Sequence, residues 1–123
     1  MWIEYNPNPC ARSVSDCSVR AISAALGVDW ETAYMMLADA GLQMCDLMNS
    51  NSVIDAVLRI NGFYKEAIPY LRNDTYTAEK FCRDHPVGVY VLGFGTHVAT
   101  VIDGDLLDAW NSSQEIPQYV WMR

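Results

Sequence analysis

The spacing of apolar residues changes along the chain, from a helical period in the first two thirds to a strand period in the last third. Between residues 21 and 26 the apolar residues recur at the interval of a helix that buries one face. Ser15 and Asp16 are suitable N-caps, and Gly27 can adopt the left-handed conformation that ends many helices. The pattern therefore predicts a first helix that begins at Ser15 or Asp16 and ends at Gly27.

Three further helices are predicted, each beginning at a residue whose side-chain oxygen can accept a hydrogen bond from the first turn. Their predicted starts and ends are Asp29 and Gly41, the polar cluster 49–52 and Gly62, and Thr77 and the residue before Pro86. Trp30 is expected to anchor the second helix, and Cys45 and Cys82 are expected to be small buried apolar residues. His85 is expected to be a solvated cation at the end of the fourth helix. The segment 1–15, with two Asn-Pro pairs, is expected to be an ordered loop.

From Val87 onward, β-branched and aromatic residues predict strands. The predicted strands are 87–94, 97–102, 105–110 and 117–122, with one earlier strand over 63–68 that ends at Pro69. Asp103-Gly104 is a strong signal for a two-residue hairpin turn. Because helices precede the strands, the predicted class is α+β, with N-terminal helices packed on one side of a C-terminal antiparallel sheet.

Length and charge narrow the classes of function. The 123 residues predict a single domain over 1–123, large enough to bury a core. A net charge of -7 argues against nucleic acid or an anionic membrane as the main partner. The N-terminus lacks the features of a signal peptide, and no apolar stretch is long enough to span a membrane. We therefore expect a soluble protein of the cytoplasm.

The four cysteines are expected to be free, because disulfide frameworks belong to exported proteins and nothing here indicates export. Metal binding is not expected either. The sequence contains no Cys-x-x-Cys, and neither histidine has a partner at the spacing of zinc ligands. The sequence thus predicts neither a metal site nor a cofactor.

Cys17 is the strongest candidate for a chemically active residue. It falls in the first turn of the first predicted helix, where unpaired N–H groups and the positive end of the helix dipole favour a thiolate. Arg20, three residues later, is expected to add positive charge on the same face. Asp16 acts against a thiolate unless its carboxylate is turned away to cap the helix.

The predicted hairpin supplies a candidate base. With Asp103-Gly104 at its tip, residue 102 pairs with 105 and residue 99 with 108, so that Asp108 lies diagonally opposite His97. Such a diagonal separation, about 7 to 8 Å between backbones, can be spanned by long side chains. In this register Asn111 points to the other face, whereas a slip of one residue would favour Asn111 over Asp108. A thiol, a histidine and a carboxylate are the parts of an activated nucleophile.

Two segments, Asp16 to Ile22 (DCSVRAI) and His97 to Trp110, give the chain a resemblance to the papain-like cysteine peptidase fold. More narrowly, it resembles small proteins carried by phages, plasmids and gut bacteria. The resemblance implies a thiolate and imidazolium pair at Cys17 and His97, oriented by Asp108. It also implies an oxyanion held by the Cys17 N–H.

Many papain-like enzymes have a glutamine about six residues before the cysteine, as a second oxyanion donor. This chain has Ala11 there, which leaves that donor unassigned. The candidates in the preceding loop are Asn6, Asn8, Arg12 and Ser13.

Three hypotheses follow. The first is a cysteine peptidase or a related thiol acyl-transfer hydrolase, acting on a peptide or protein substrate in the cytoplasm, or in the host cytoplasm if the protein is encoded by a phage. The second is a papain-like module that binds or inhibits another protein. The third is a structural domain in which Cys17, His97 and Asp108 never meet. Five large apolar residues could line a substrate cleft or equally pack in the core: Trp2, Tyr5, Met44, Met48 and Trp110.

Overall fold

The computed structural model describes residues 1–68 and 75–123, and these residues form helices and strands that alternate irregularly along the chain. The helices are α1 (Cys17–Leu26), α2 (Trp30–Met44), α3 (Asn51–Ile60) and α4 (Ala78–Asp84). The strands are β1 (Trp2–Glu4), β2 (Tyr64–Ala67), β3 (Val89–Gly93), β4 (Val98–Ile102), β5 (Asp105–Asp108) and β6 (Tyr119–Met122). The class is therefore α+β, as the order of periodicities predicted. Pro69, expected to end the early strand, lies outside the described residues.

The predicted helix starts are confirmed, and in the third helix the cap is Ser50 of the cluster 49–52. Asp29, Ser50 and Thr77 accept a hydrogen bond from the first turn of α2, α3 and α4. These caps satisfy N–H groups that have no partner within the helix. The α1 helix begins at Cys17 and ends at Gly27, whose φ of 66° is the left-handed cap conformation.

The end predicted for α2 is wrong. The helix continues past Gly41 to Met44, and Cys45 adopts the left-handed cap conformation. Gly41 is buried where the returning chain crosses the helix, and a Cβ at this position would lie 2.9 Å from the Asp46 carbonyl oxygen. The close approach of the Asp46 backbone leaves no room for a side chain at position 41, which explains the glycine. Cys45, expected in the core, is exposed at the helix end, whereas Cys82 is buried as predicted.

The sheet is mixed, and the prediction of a purely antiparallel sheet is wrong. Within the described residues the strand order is β1-β5-β4-β3-β6-β2. The β1 strand, which was predicted as loop, pairs in parallel with β5, whereas the other neighbouring strands are antiparallel. A three-residue strand with a partner about a hundred residues away has no local signal in the sequence.

The helices cover both faces of the sheet, so the prediction that they lie on one side is also wrong. Successive strand residues point to opposite faces, and here both sets are buried. Val91 and Val98 pack in the cluster that includes α1, α2 and α3, whereas Leu92 and Ala99 pack in the cluster that includes α4. Because the central strands are apolar on both sides, each face needs a covering layer.

The central hairpin has the predicted register. Ile102 pairs with Asp105, and Thr100 pairs with Leu107. Asp103 and Gly104 have φ values of 48° and 82°, as required at both central positions of a type I′ turn.

In the part of the chain that the structure describes, no helix has the length and apolar character needed to cross a bilayer.

Candidate active site

Cys17 is the first residue of α1, and its side chain is partly buried. The helix is held against the sheet by a hydrogen bond of 2.8 Å from the Thr100 hydroxyl to the carbonyl of Ala21. Thr100 lies in β4, the strand that follows His97 directly. This bond therefore helps to set the distance between the start of α1 and the start of β4, where the two candidate reactive residues lie.

The surroundings of the Cys17 thiol favour its charged form. Burial raises the pKa of the thiol, but hydrogen bonds from His97 and from the backbone N–H of Val98 lower it further than burial raises it. The charges of His97 and Arg20 act in the same direction. The pKa of Cys17 is consequently lowered from the ordinary value of 9.0, as is typical of cysteines that act as nucleophiles.

His97 links the thiol to a buried carboxylate. Its Nε2 atom lies 2.6 Å from Oδ2 of Asp108, and because a carboxylate only accepts, Nε2 is the donor. The other ring nitrogen, Nδ1, is then the one available for the hydrogen bond with Cys17. Burial lowers the pKa of His97, but its hydrogen bonds and charge interactions with Asp108 and Cys17 outweigh this and raise the pKa from 6.5 to about 9.

Two aromatic rings flank the imidazole. The centroids of Trp110 and Phe94 lie 5.0 Å and 5.8 Å from that of His97. His97 follows the tight turn that joins β3 to β4, which is closed by a 2.8 Å hydrogen bond from the Phe94 N–H to the His97 carbonyl. The turn and the rings restrict the orientation of the imidazole, which leaves 17% of its side chain accessible to solvent.

The Asp108 carboxylate is 1% exposed and accepts four hydrogen bonds, two at each oxygen. Oδ2 accepts from His97 and, at 2.5 Å, from the Ser112 hydroxyl. Oδ1 accepts from its neighbour's backbone N–H and from Arg20. Burial raises the pKa of this carboxyl, but the bonds from His97 and Ser112 and the charge of His97 hold it below its ordinary value. All the acceptor positions of the carboxylate are thus used, which fixes its orientation.

The backbone of Asp108 is held by β1, the strand that the sequence did not reveal. The Asp108 carbonyl accepts a 2.8 Å hydrogen bond from the Tyr5 N–H and a 3.1 Å bond from the Trp2 indole. Ser112 was also missed, because an isolated serine after a strand carries no distinguishing signal. Trp2 and Tyr5, for which the sequence left a choice between a cleft and the core, therefore support the end of β5.

Arg20 joins two buried carboxylates, those of Asp16 and Asp108. Its guanidinium donates to Asp108 at 3.2 Å and to Asp16, and its side chain is 7% exposed. The second oxygen of Asp16 accepts a 2.8 Å bond from the Trp30 indole. The Asp16 carboxylate thus pairs with Arg20 and Trp30 and does not cap the helix, the role that the sequence offered for it.

The remaining sequence candidates lie elsewhere. Asn8 accepts from the Cys10 N–H within its own loop, Asn6 donates to the Arg12 carbonyl, and Ser13 is exposed. None of the four candidates in the N-terminal loop, Arg12 included, is among the described residues that line the cavity beside Cys17. The second oxyanion donor therefore stays unassigned.

Asn111 and His85 are also separate from the site. Asn111 accepts from the Ser113 N–H and lines a different cavity of about 530 Å³ beside α4. This placement agrees with the prediction that it points away from His97. His85 is partly buried and stacks on Phe81 at 3.8 Å between centroids, so the expectation of a solvated side chain is wrong.

A small cavity of about 180 Å³ opens beside Cys17 and His97. It lies between the turn that precedes β4 and the start of α3, and its other lining residues are Asn49, Asn51, Ile54, Gly95, Thr96 and Val98. Cys17 and His97 thus border an open space. Among the described residues, no group of three His, Cys, Asp or Glu side chains is arranged to hold a metal ion.

Comparison of the chain with protein-family models, with curated proteins and with solved structures found no match.

Proposed function

We propose that this protein is a papain-like cysteine hydrolase, a peptidase or a related thiol acyl-transfer enzyme that cleaves an amide or isopeptide bond. The observation that carries the proposal is the continuous hydrogen-bonded series from the Cys17 thiol through His97 to Asp108. Each member has the role expected of an activated nucleophile, its base and the group that orients the base.

In the proposed reaction the Cys17 thiolate attacks the carbonyl carbon of the substrate and forms a tetrahedral intermediate. The backbone N–H of Cys17 lies in the first turn of α1, without a partner inside the helix, and stabilises the negative oxygen. His97 then donates its proton to the leaving amine, and the C–N bond breaks to give a thioester.

The second half of the reaction reverses these roles. His97, now neutral, accepts a proton from a water molecule, and the resulting hydroxide attacks the thioester carbonyl. The C–S bond breaks, the carboxylic acid leaves, and the thiolate and imidazolium pair is restored. Asp108 keeps Nε2 protonated throughout, so that Nδ1 is always the atom that exchanges the proton with the thiol and the substrate.

The papain-like part of the proposal has its own support. The nucleophile lies at the start of a helix, the base and its orienting carboxylate lie at the ends of neighbouring antiparallel strands, and the order in the chain is Cys, His, Asp. The order Cys, His, Asp is the one that the resemblance to the papain-like fold implies.

The proposal is tested by trapping the acyl-enzyme. The protein is mixed with p-nitrophenyl acetate, and a mass increase of one acetyl group is located by peptide mapping. We expect rapid acetylation at Cys17 followed by turnover, loss of both in Cys17→Ala with nearly unchanged stability, and a strong decrease in His97→Ala. Cys10 and Cys45 are exposed thiols and serve as internal controls for non-specific acylation.

Equal acetylation of Cys10, Cys45 and Cys17, or full turnover in Cys17→Ala, would contradict the proposal. A folded protein that acetylates the three thiols equally is better explained as a binding or inhibitory module with the same architecture.

A further inference from the structure

We propose that the outer face of α2 is the docking surface for a basic amphipathic helix of a partner protein. This outer face consists of Tyr34, Met35, Ala38 and Leu42, on the side of the helix that the core does not bury. None of these residues belongs to the hydrogen-bonded series from Cys17 to Asp108. The inference therefore goes beyond the proposed function and does not depend on it.

The α2 helix is apolar on two faces, although only one of them packs in the core. Its buried face includes Ala33 and Leu37. A surface helix ordinarily carries charged and polar residues on the opposite face. The outer face of α2 instead exposes Tyr34, Met35 and Leu42, which are 40%, 52% and 80% accessible to solvent. Large apolar side chains that are exposed together along one helix are typical of an interaction surface.

The spacing of these residues suits a second helix. Tyr34, Ala38 and Leu42 follow one another at intervals of four residues, so their side chains form a ridge along α2. Ridges of this kind pack into the grooves on the surface of another helix. Met35 lies beside the ridge and borders a groove of about 440 Å³. A methionine adapts its shape to different apolar partners, so this groove can accept side chains from the incoming helix.

The charge around the outer face determines the sign of the partner. Glu31 and Asp39 lie one helical turn before and after Met35, and both line the same groove together with Asp29. Among the described residues, no cation pairs with Glu31 or Asp39. The sequence contains no lysine or arginine at positions 21–58. The outer face therefore lies in a negative electrostatic field, to which a helix rich in lysine or arginine is complementary.

Two other occupants match the surface less well. A second copy of the chain would place the carboxylates of two acidic molecules, each with a net charge of -7, next to one another. Like charges across an interface oppose association. The same carboxylates oppose contact with an anionic membrane, which attracts basic segments. A basic amphipathic helix matches both properties of the outer face, because its apolar side packs on the ridge while its cations lie near the carboxylates.

The test uses a synthetic peptide of leucine and lysine, roughly 18 residues long, in which the leucines recur at helical spacing. A second peptide has the same composition in scrambled order and forms no apolar face, and a third has glutamate in place of lysine. Binding to Cys17→Ala, which lacks the proposed nucleophile and so leaves the peptides intact, is measured by isothermal titration calorimetry. We expect the Kd of the first peptide to be roughly 10-fold or more below that of either control peptide. Circular dichroism should show that the first peptide becomes helical on binding.

Variants of the outer face identify the surface that binds the peptide. Leu42→Ala and Met35→Ala should each raise the Kd of the first peptide by roughly 5-fold or more, because each removes an apolar contact. Asp39→Asn should raise the Kd less and make it less sensitive to salt, since salt screens exposed charges. Ile60→Ala and Glu115→Gln are the matched controls, because both residues are exposed elsewhere in the chain. Neither control should change the Kd.

Equal affinity for the first peptide and its scrambled form would overturn the proposal, as would an affinity that Leu42→Ala and Met35→Ala leave unchanged. Analytical ultracentrifugation and sedimentation with phosphatidylcholine vesicles, with and without phosphatidylserine, test the other occupants. A dimer or vesicle binding that Leu42→Asp abolishes would assign the outer face to a second copy or to a membrane, and would also overturn the proposal. None of these results depends on whether the protein turns over an ester, so this inference and the proposed function fail separately.

Discussion

The guanidinium of Arg20 donates a hydrogen bond of 3.2 Å to the carboxylate of Asp108, across 88 positions of the sequence. The same guanidinium pairs with Asp16, the residue before the candidate nucleophile. One buried cation thus holds the carboxylate that orients His97 and neutralises the carboxylate that would otherwise oppose a thiolate at Cys17. The first prediction concerns this cation.

Arg20→Met should raise the pKa of Cys17, because the nearby cation is lost and Asp16 is left without its charge partner. Removing one member of a buried ion pair is also expected to reduce stability by roughly 3 to 5 kcal/mol. Asp16→Asn in the Arg20→Met background should restore part of both losses, and Arg20→Lys should lie between. The measurements are urea unfolding and the rate of Cys17 alkylation by iodoacetamide against pH. A folded Arg20→Met protein with the wild-type pH profile would show that Arg20 only supports the structure.

If Arg20→Met does not fold, the pH profiles of Arg20→Lys and Asp16→Asn show whether Arg20 lowers the pKa of Cys17.

Asp108→Asn should slow acyl transfer by roughly 10-fold or more and reduce the rate less than His97→Ala does. An asparagine can hold the imidazole in the other tautomer, which places the proton on the wrong nitrogen. The readout is kcat/KM for an activated ester, with circular dichroism to confirm folding. Asn111→Ala is the control, since Asn111 lines another cavity and its loss should leave the rate unchanged. The reverse ranking of these two variants would assign the orienting role to Asn111.

Alkylation of Cys17 by iodoacetamide should be fast at neutral pH and should slow as the pH falls through its lowered pKa. His97→Ala removes the hydrogen bond and the positive charge that stabilise the thiolate, so the pH at half-maximal rate should move upward. Peptide mapping separates Cys17 from the exposed thiols Cys10 and Cys45, which should respond little to this substitution. Identical profiles of Cys17 in the two proteins would show that no thiolate and imidazolium pair exists.

Hydrolysis of a peptide anilide should decrease above a pH of about 9. The pKa of His97 is raised to about 9, so the imidazolium that protonates the leaving amine is present below this pH and lost above it. Alkylation needs the thiolate alone and should not decrease over the same range. The two pH profiles, measured on one preparation from pH 5 to 10.5, provide the comparison. A common alkaline decrease would indicate unfolding and not the titration of His97.

Ser112→Ala should lower the free energy of unfolding at pH 7 by roughly 1 to 3 kcal/mol, because it removes a hydrogen bond to a buried carboxylate. The pKa of Asp108 lies below its ordinary value of 3.8, so its charge stabilises the fold above that pH. This contribution is lost as the pH falls through the lowered pKa of the folded state. Urea unfolding at pH 7 and between pH 2 and 5 should therefore show the variant and the wild type converging in acid. Ser113→Ala, which lacks the contact with Asp108, should match the wild type throughout, and an equal loss in the two variants would argue against a specific role of Ser112.

The sequence predictions are accurate where the contacts join residues that are close in the chain. The starts of α2, α3 and α4 depend on a side chain and an N–H group three residues apart, as at Asp29 and Thr32. The hairpin depends on a two-residue turn. This turn sets the strand register, and the register places His97 close to Asp108. Both are local relationships, which the order of residues expresses directly.

The sequence by itself therefore determined the α+β class, the position of Cys17 at a helix start and the pairing of His97 with Asp108. Only the tertiary structure decided the parallel pairing of β1 with β5, the position of α4 on the opposite face and the attachment of Ser112 and Arg20 to Asp108. These contacts join residues with no regular spacing, or join segments far apart in the chain. They form because packing and burial across the whole domain offset the conformational entropy that is lost when the chain is ordered. Local residue patterns do not show which distant segments pack together.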